Sequence, residues 1–343
     1  MATEWAVGDF LSERELSCKE ETAEAFYAKL NGLLEGLPVY NHTNVGGPPE
    51  NRTVSESCFF RGQASADWGL HSSLYRLLEG QGVFEEGGGK GKVEKNETKI
   101  AEAEKRILSL ARENGVGRGL SQLEALTVLQ HHGVPTRLID VSTDWKVALY
   151  FACETLDSVD GRLFIVATSV DRWLSNFPRP EHPEEELVWW DQGALNDWRH
   201  SVWPILLPFS DVRMISQRGF FLVGGLASNY GDHNIYRSKK FGERQVRLNN
   251  DDMRRVSSMT VEFPSARGEV GCKDRLEKFI REREKVGSKK VEKWKASALT
   301  IKVPAEFKFE IRSLLKEDGV HFDSVYPPVM EVRRLLRYVS VGK

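Results

Sequence analysis

The sequence predicts a mixed α+β fold, and three observations carry that prediction. Apolar residues recur at helical spacing in several segments. Short runs rich in β-branched and aromatic residues alternate with them. The chain is also long enough, at 343 residues with 40% hydrophobic content, to bury a large core as one or two domains of roughly 150 residues each.

Taken in order, residues 14–36 place Ala23, Phe26, Tyr27, Leu30 and Leu33 three and four apart, one apolar stripe on a leading helix. Paired glycines and prolines at 46–49 break that pattern, and residues 54–63 (VSESCFFRGQ) follow as a strand with Arg61 near its end. Residues 80–95 are glycine-rich and charged, too poor in apolar surface to order themselves, and read as a mobile loop. Gly91-Lys92 is not a phosphate loop: Glu86 stands where the motif needs its first glycine and Val93 where it needs Ser or Thr. Helices are expected at 99–113 and 120–132 and from Asp144 through 156, then a strand at 161–169 (GRLFIVATS). A Trp- and Pro-rich segment spans 173–208, its tryptophans expected mainly in the core, and a strand follows at 219–225. Beyond a polar stretch come a strongly charged helix from Cys272, a late strand at 298–304 and a helix stopped by Gly319. The expected organisation is a helical lead-in over 1–50 and a main domain over 51–343, with a loop insertion at 80–98 and a variable charged region at 227–298.

Composition narrows the function classes. With 48 Lys+Arg against 50 Asp+Glu the net charge is −2, without the basic excess usual in binders of duplex DNA or anionic membranes. The longest apolar run, Val202–Leu207, is far short of a membrane span, and charges interrupt the N-terminus too early for a secretory signal. Cys18, Cys58, Cys153 and Cys272 are scattered, with no Cys-x-x-Cys and no local Cys/His cluster. A cytoplasmic protein without a metal site or membrane partner is therefore expected.

Chemistry concentrates between Gln130 and Asp144. A polar helix end at Gln130-His131 leads through a Gly133/Pro135 turn to Thr136, Arg137 and Asp140, then to the hydroxyls of Ser142 and Thr143 ahead of a helix. His131 is either a site residue or a helix-end group satisfying carbonyls. Arg137 and Asp140 are either cleft residues or an internal ion pair. Ser142 and Thr143 are either site hydroxyls or helix caps. Arg61-Gly62 places a cation at a strand end beside a residue that allows close approach, a combination suited to anions.

These segments resemble the FRG domain family, named for a tripeptide that stands here as Phe60-Arg61-Gly62 and is extended by Gln63. Further matches are Ser73-Leu74 with Arg76, the run Gln130, His131, Gly133, Pro135, Thr136, Arg137, Leu138 and Asp140, the segment Ala148–Ala152, and Arg213 with Ser216–Phe220. His132, Val141 and Arg218 depart from that pattern. A weaker similarity links the order Phe60-Arg61-Gly62, Ser142-Thr143 with Ala148 and Phe151, and Gln217–Phe220 to ADP-ribosyltransferases of the Arg-Ser-Glu type. That resemblance implies split antiparallel sheets with flanking helices gripping NAD, as substrate or ligand. It gives Arg61, Ser142, Thr143 and Gln217 catalytic roles, and ligand contacts to Arg61, Gly62, Gln63, Gln130, His131, Thr136, Arg137 and Asp140. Cleavage of the nicotinamide–ribose bond develops oxocarbenium character that a carboxylate stabilises. Gln217 stands where the resembling enzymes place a Glu, so Asp140 is the acid expected to compensate. The implied function is ADP-ribose transfer or NAD cleavage by a toxin or phage-defence effector, with an unknown protein or nucleic-acid acceptor. The alternatives are a non-catalytic nucleotide-binding sensor or adaptor, and a nucleic-acid binder.

Overall fold

The computed structural model describes residues 5–37, 39, 56–87, 89–169, 187, 189–190, 202–205, 212–226, 234–239, 242–264, 271–285 and 296–327. Among the described residues nine strands run in chain order: β1 (Glu56–Gln63), β2 (Ile139–Ser142), β3 (Gly161–Ser169), β4 (Val202–Ile205), β5 (Gly219–Gly224), β6 (Asn234–Lys239), β7 (Gly242–Arg247), β8 (Val261–Glu262) and β9 (Ala296–Val303). Seven of them make one sheet in the order β4-β5-β2-β1-β3-β9-β8, while β6 and β7 pair as a separate hairpin. All pairs are antiparallel except β8 with β9. The described strands thus form one continuous sheet and a hairpin, where split sheets were expected. Continuity comes from β1, which pairs with β3 along its whole length and with β2 at Phe60↔Ser142.

Both faces of the sheet are covered, so its strands are apolar on alternate and often successive positions. Phe59, Phe164, Val166, Ile139 and Phe221 belong to one core with Phe10, Leu126, Leu129, Met253 and Val256. Phe60, Leu163, Ile165, Leu299 and Ile301 belong to the other, under α2 (Ala23–Leu34), the later helix Trp145–Cys153 and the helix Lys308–Glu317. The apolar stripe Ala23–Leu33 lies wholly on α2, while residues 14–22 before it are not helical. Among the described residues α1 (Val7–Ser12) precedes α2, and α2 starts at Ala23, where the Thr22 hydroxyl accepts the Ala25 N–H at 3.2 Å. Residues 14–18 are not helical, because the Leu16 amide donates to the Thr300 carbonyl of β9 at 2.7 Å.

The expected loop at 80–98 is corrected more sharply. After α3 (Ser73–Gly80), helix α4 runs over Lys90–Glu113. Val93 and Ile100 pack with Leu74, Tyr75 and Leu78, and Val83 and Phe84 lean on the same cluster. Asn96 is fully buried, its amide accepting the Glu85 N–H at 2.8 Å and donating to the Glu85 carbonyl at 3.0 Å. Those long-range partners order a stretch whose composition alone argues against order. Helix α5 covers Gln122–His131, and α6 covers Trp145–Cys153. The charged helix extends over Cys272–Lys285, and its expected continuation lies outside the described residues. Of the Trp-rich segment, Trp189 and Trp203 are buried and Trp190 partly so; Trp173 and Trp198 fall outside the described residues. Among the described residues, no helix is long and apolar enough to cross a membrane.

Candidate functional site

A cavity of about 720 Å³ opens where β1 and β2 meet the C-terminus of α5, with α3, α6 and the helix Val212–Ser216 around it. Arg61, Gly62, Gln63, Gln130, His131, Asp140, Ser142 and Gln217 all line it, so most of the expected site residues converge. The pairing of β1 with β2 brings this about by setting the ends of two distant motifs side by side.

Arg61 is the electrostatic centre. Its Nη1 donates to the Asp140 carbonyl at 2.6 Å and lies 3.9 Å from the Asp140 carboxylate, while its Nε is buried with no hydrogen-bond partner among the described residues. Burial pulls this guanidinium below its ordinary value, Asp140 opposes that pull, and the like charge of Arg76 adds to it. Asp140, the one carboxylate among the described lining residues, is 60% exposed in its side chain and accepts the Gln130 amide at 2.9 Å. Thr136 is fully buried. Its hydroxyl donates to Gln130 Oε1 at 2.7 Å, so it orients Gln130 rather than lining the cavity itself. Gln63 donates to the Gly69 carbonyl at 3.1 Å, leaving its buried Oε1 without a partner among the described residues.

Several expected roles change. Arg137 leaves the site: it is buried against α4, 2.5 Å from Glu97 and 2.9 Å from Glu104, and pairs with these rather than with Asp140. Thr143 is buried away from the cavity lining, its amide donating to the Arg218 carbonyl at 3.0 Å. Neither Ser142 nor Thr143 caps α6; Asp144 does, accepting the Lys146 N–H at 2.9 Å. Ser142 lines the cavity, yet its hydroxyl donates to the Gln217 carbonyl at 2.7 Å and accepts the Asp144 N–H at 2.9 Å. Gln217 in turn donates through its side-chain amide to the Val325 carbonyl at 3.1 Å. Gly62 does permit close approach, but to a helix: a Cβ there would overlap the Ala148 carbonyl oxygen and sit 2.7 Å from the Ala152 nitrogen. At the end of α5, the amides of His132, Gly133 and Val134 take the last carbonyls, with Gly133 at φ +79°. His131 lines the cavity from this end.

Sequence reasoning left out Trp68, 50% exposed at the cavity, and gave no role to Arg76 and Arg213, which add two cations to the lining. Arg76 and Arg213 stand in the family pattern without an assigned role, and nothing local marks Trp68. Arg76 reaches the site because the Leu74 amide donates to the Thr136 carbonyl at 3.0 Å, docking α3 against the turn before β2. The result is a cleft with three arginines, two histidines, one exposed carboxylate and an accessible indole, able to hold an anionic group next to a flat ring.

No curated protein and no solved structure matches the chain. The model of the FRG domain family matches residues 56–161, from the first residue of β1 to the first of β3, and the chain therefore contains an FRG domain that supplies Arg61, Arg76, Gln130, Asp140 and Ser142 to the cleft.

Proposed function

We propose that this cleft is a nucleotide site whose ligand is NAD, held by its phosphates on Arg61. The observation that carries the reading is the convergence of Arg61, Arg76 and Asp140 on one 720 Å³ cavity, a volume within the usual range for small-molecule sites. Two guanidiniums meet the charge of a pyrophosphate, Trp68 offers a face for stacking, and the orphaned Gln63 Oε1 accepts a ligand N–H or O–H. Asp140 is the group able to stabilise an oxocarbenium ion, because Gln217 carries no charge and its amide is engaged by Val325. On this reading the protein cleaves NAD or transfers ADP-ribose to water, protein or nucleic acid, and its expression arrests growth as a toxin or phage-defence effector does.

One observation favours a second reading, a sensor or adaptor that binds the nucleotide without cleaving it. The Ser142 hydroxyl and the Gln217 amide, which the chemistry would use, are both spent on internal hydrogen bonds. Incubation of the purified protein with NAD labelled in its nicotinamide ring separates the two. Enzymatic function requires release of nicotinamide above background, lost in Arg61→Ala and reduced at least about tenfold in Asp140→Asn. A sensor shows binding by calorimetry, weakened about 10- to 100-fold by Arg61→Ala, with release at background. Absence of binding refutes both.

A further inference from the structure

We infer that Cys18 and Cys272 form a redox modification site, closed into an intramolecular disulfide by an oxidant of the peroxide class. This inference is independent of the ligand assigned to the cleft. Cys58 and Cys153 are buried, whereas Cys18 and Cys272, far apart in sequence, are both half-buried and pack against the same apolar cluster. Their meeting is enforced by a clasp. Cys272 is the first residue of the helix Cys272–Lys285, and its thiol donates to the Ser17 carbonyl at 2.8 Å. One turn on, Arg275 donates from Nη1 to the Glu15 carbonyl at 2.6 Å and from Nη2 to the Arg14 carbonyl at 2.9 Å. The segment 14–17 is thereby held at two points along the helix, and Leu16 ties it to β9. The next residue, Cys18, is thereby held next to the peptide group that the Cys272 thiol contacts, with little backbone freedom left, which favours closure of a disulfide over separation of the two thiols.

The chemistry divides between the two sulfurs. Burial, with the neighbouring Cys272 adding to it, pushes the Cys18 thiol up to about 12; the first attack is assigned to Cys272, which stands at the N-terminus of its helix. Its thiolate attacks a peroxide oxygen; an S–O bond forms, the O–O bond breaks and hydroxide leaves, protonated to water. The Cys18 sulfur then attacks the sulfenyl sulfur; the S–S bond forms, the S–O bond breaks, and hydroxide leaves with the Cys18 proton as a second water. Two thiols and one peroxide become one disulfide and two waters. The bond covalently fastens the N-terminal segment to a helix from the far half of the chain.

The test uses the full-length protein treated with hydrogen peroxide, followed by proteolysis without reductant and mass spectrometry. The expected product is a single intramolecular cross-link of the peptides holding Cys18 and Cys272. Titratable thiols under denaturing conditions fall from four to two, and dithiothreitol reverses the change. Cys18→Ser and Cys272→Ser abolish the cross-link, and Cys58→Ser retains it. The oxidised protein also melts several degrees above the reduced one. Four thiols surviving the treatment, over-oxidation of Cys272 with Cys18 still reduced, or a cross-link only between molecules would each overturn the inference.

Discussion

Arg137→Met is the substitution whose outcome most directly tests the buried network under the FRG domain. Arg137 is 4% exposed and sits between Glu97 and Glu104, themselves 1% and 0% exposed. Glu104 also accepts the indole N–H groups of Trp189 at 3.0 Å and Trp190 at 3.1 Å, and Glu97 accepts the Leu226 amide at 2.9 Å. The trio carries one positive and two negative charges, so removing the cation leaves two buried carboxylates without their counterion. Breaking one buried pair costs about 3–5 kcal/mol. Losing the shared partner of two acids belongs at the upper end, a large part of a total stability of about 5–15 kcal/mol. Urea unfolding followed by tryptophan fluorescence measures the loss, and the triple variant Arg137→Met/Glu97→Gln/Glu104→Gln should recover much of it because the buried charge is gone. The loss also has a pH signature. Burial holds the Glu104 carboxyl above its ordinary range, with Arg137 pulling the other way; without Arg137 the rise grows. A carboxyl whose folded value exceeds its unfolded one binds more protons in the fold, so stability falls as pH rises through the gap. Arg137→Met should therefore regain stability relative to the parent protein between pH 7 and about pH 5. A loss under about 1 kcal/mol, or a pH profile parallel to the parent's, would refute the assignment of Arg137 as the counterion of two buried acids.

Two further outcomes follow from the same reasoning. Gly62→Ala forces α6 away from β1, and should lower stability by about 1–3 kcal/mol or more along with any ligand affinity; a variant that keeps the parent melting temperature while losing ligand would return Gly62 to a ligand-contact role. His71 is pulled down to about 4 by burial, against the opposing hydrogen bond to the Arg254 carbonyl at 2.7 Å. Its contribution is present above the unfolded value of about 6.5 and fades as pH falls through about 4, up to about 3 kcal/mol in all. His71→Phe, which keeps a ring against Tyr75, should flatten that acid slope in urea midpoints measured from pH 7 to pH 4, and an unchanged slope would assign the titration to another group.

Much of the architecture was legible along the chain, and the reason is local. The strands β1, β3 and β9 announce themselves because both of their faces are buried, and α6 because an apolar run of helical length begins near Asp144. The convergence of Arg61, Gln130, Asp140, Ser142 and Gln217 on one cleft was also anticipated, through motif order. The internal hydrogen bonds of Ser142 and Gln217 were not. Sequence reading assigned Ser142 and Gln217 to chemistry, whereas the turn at 217–218 uses them to stitch β2 to β5, with Arg218 at φ +45°. It left Arg137 either in the cleft or paired with Asp140, whereas Arg137 meets α4 and pairs with Glu97 and Glu104. That helix was itself half hidden, since Asn96 and Glu97 look like solvent-facing groups until Glu85, Leu226 and Arg137 satisfy them. The amino-acid sequence by itself therefore determined where apolar faces lie and which segments become strands or helices, because these depend on neighbours along the chain. Only the tertiary structure decided which buried charge meets which, why Gly62 must lack a side chain, and that Cys272 meets the backbone next to Cys18. Those pairings depend on groups that folding brings within a few ångströms from distant positions.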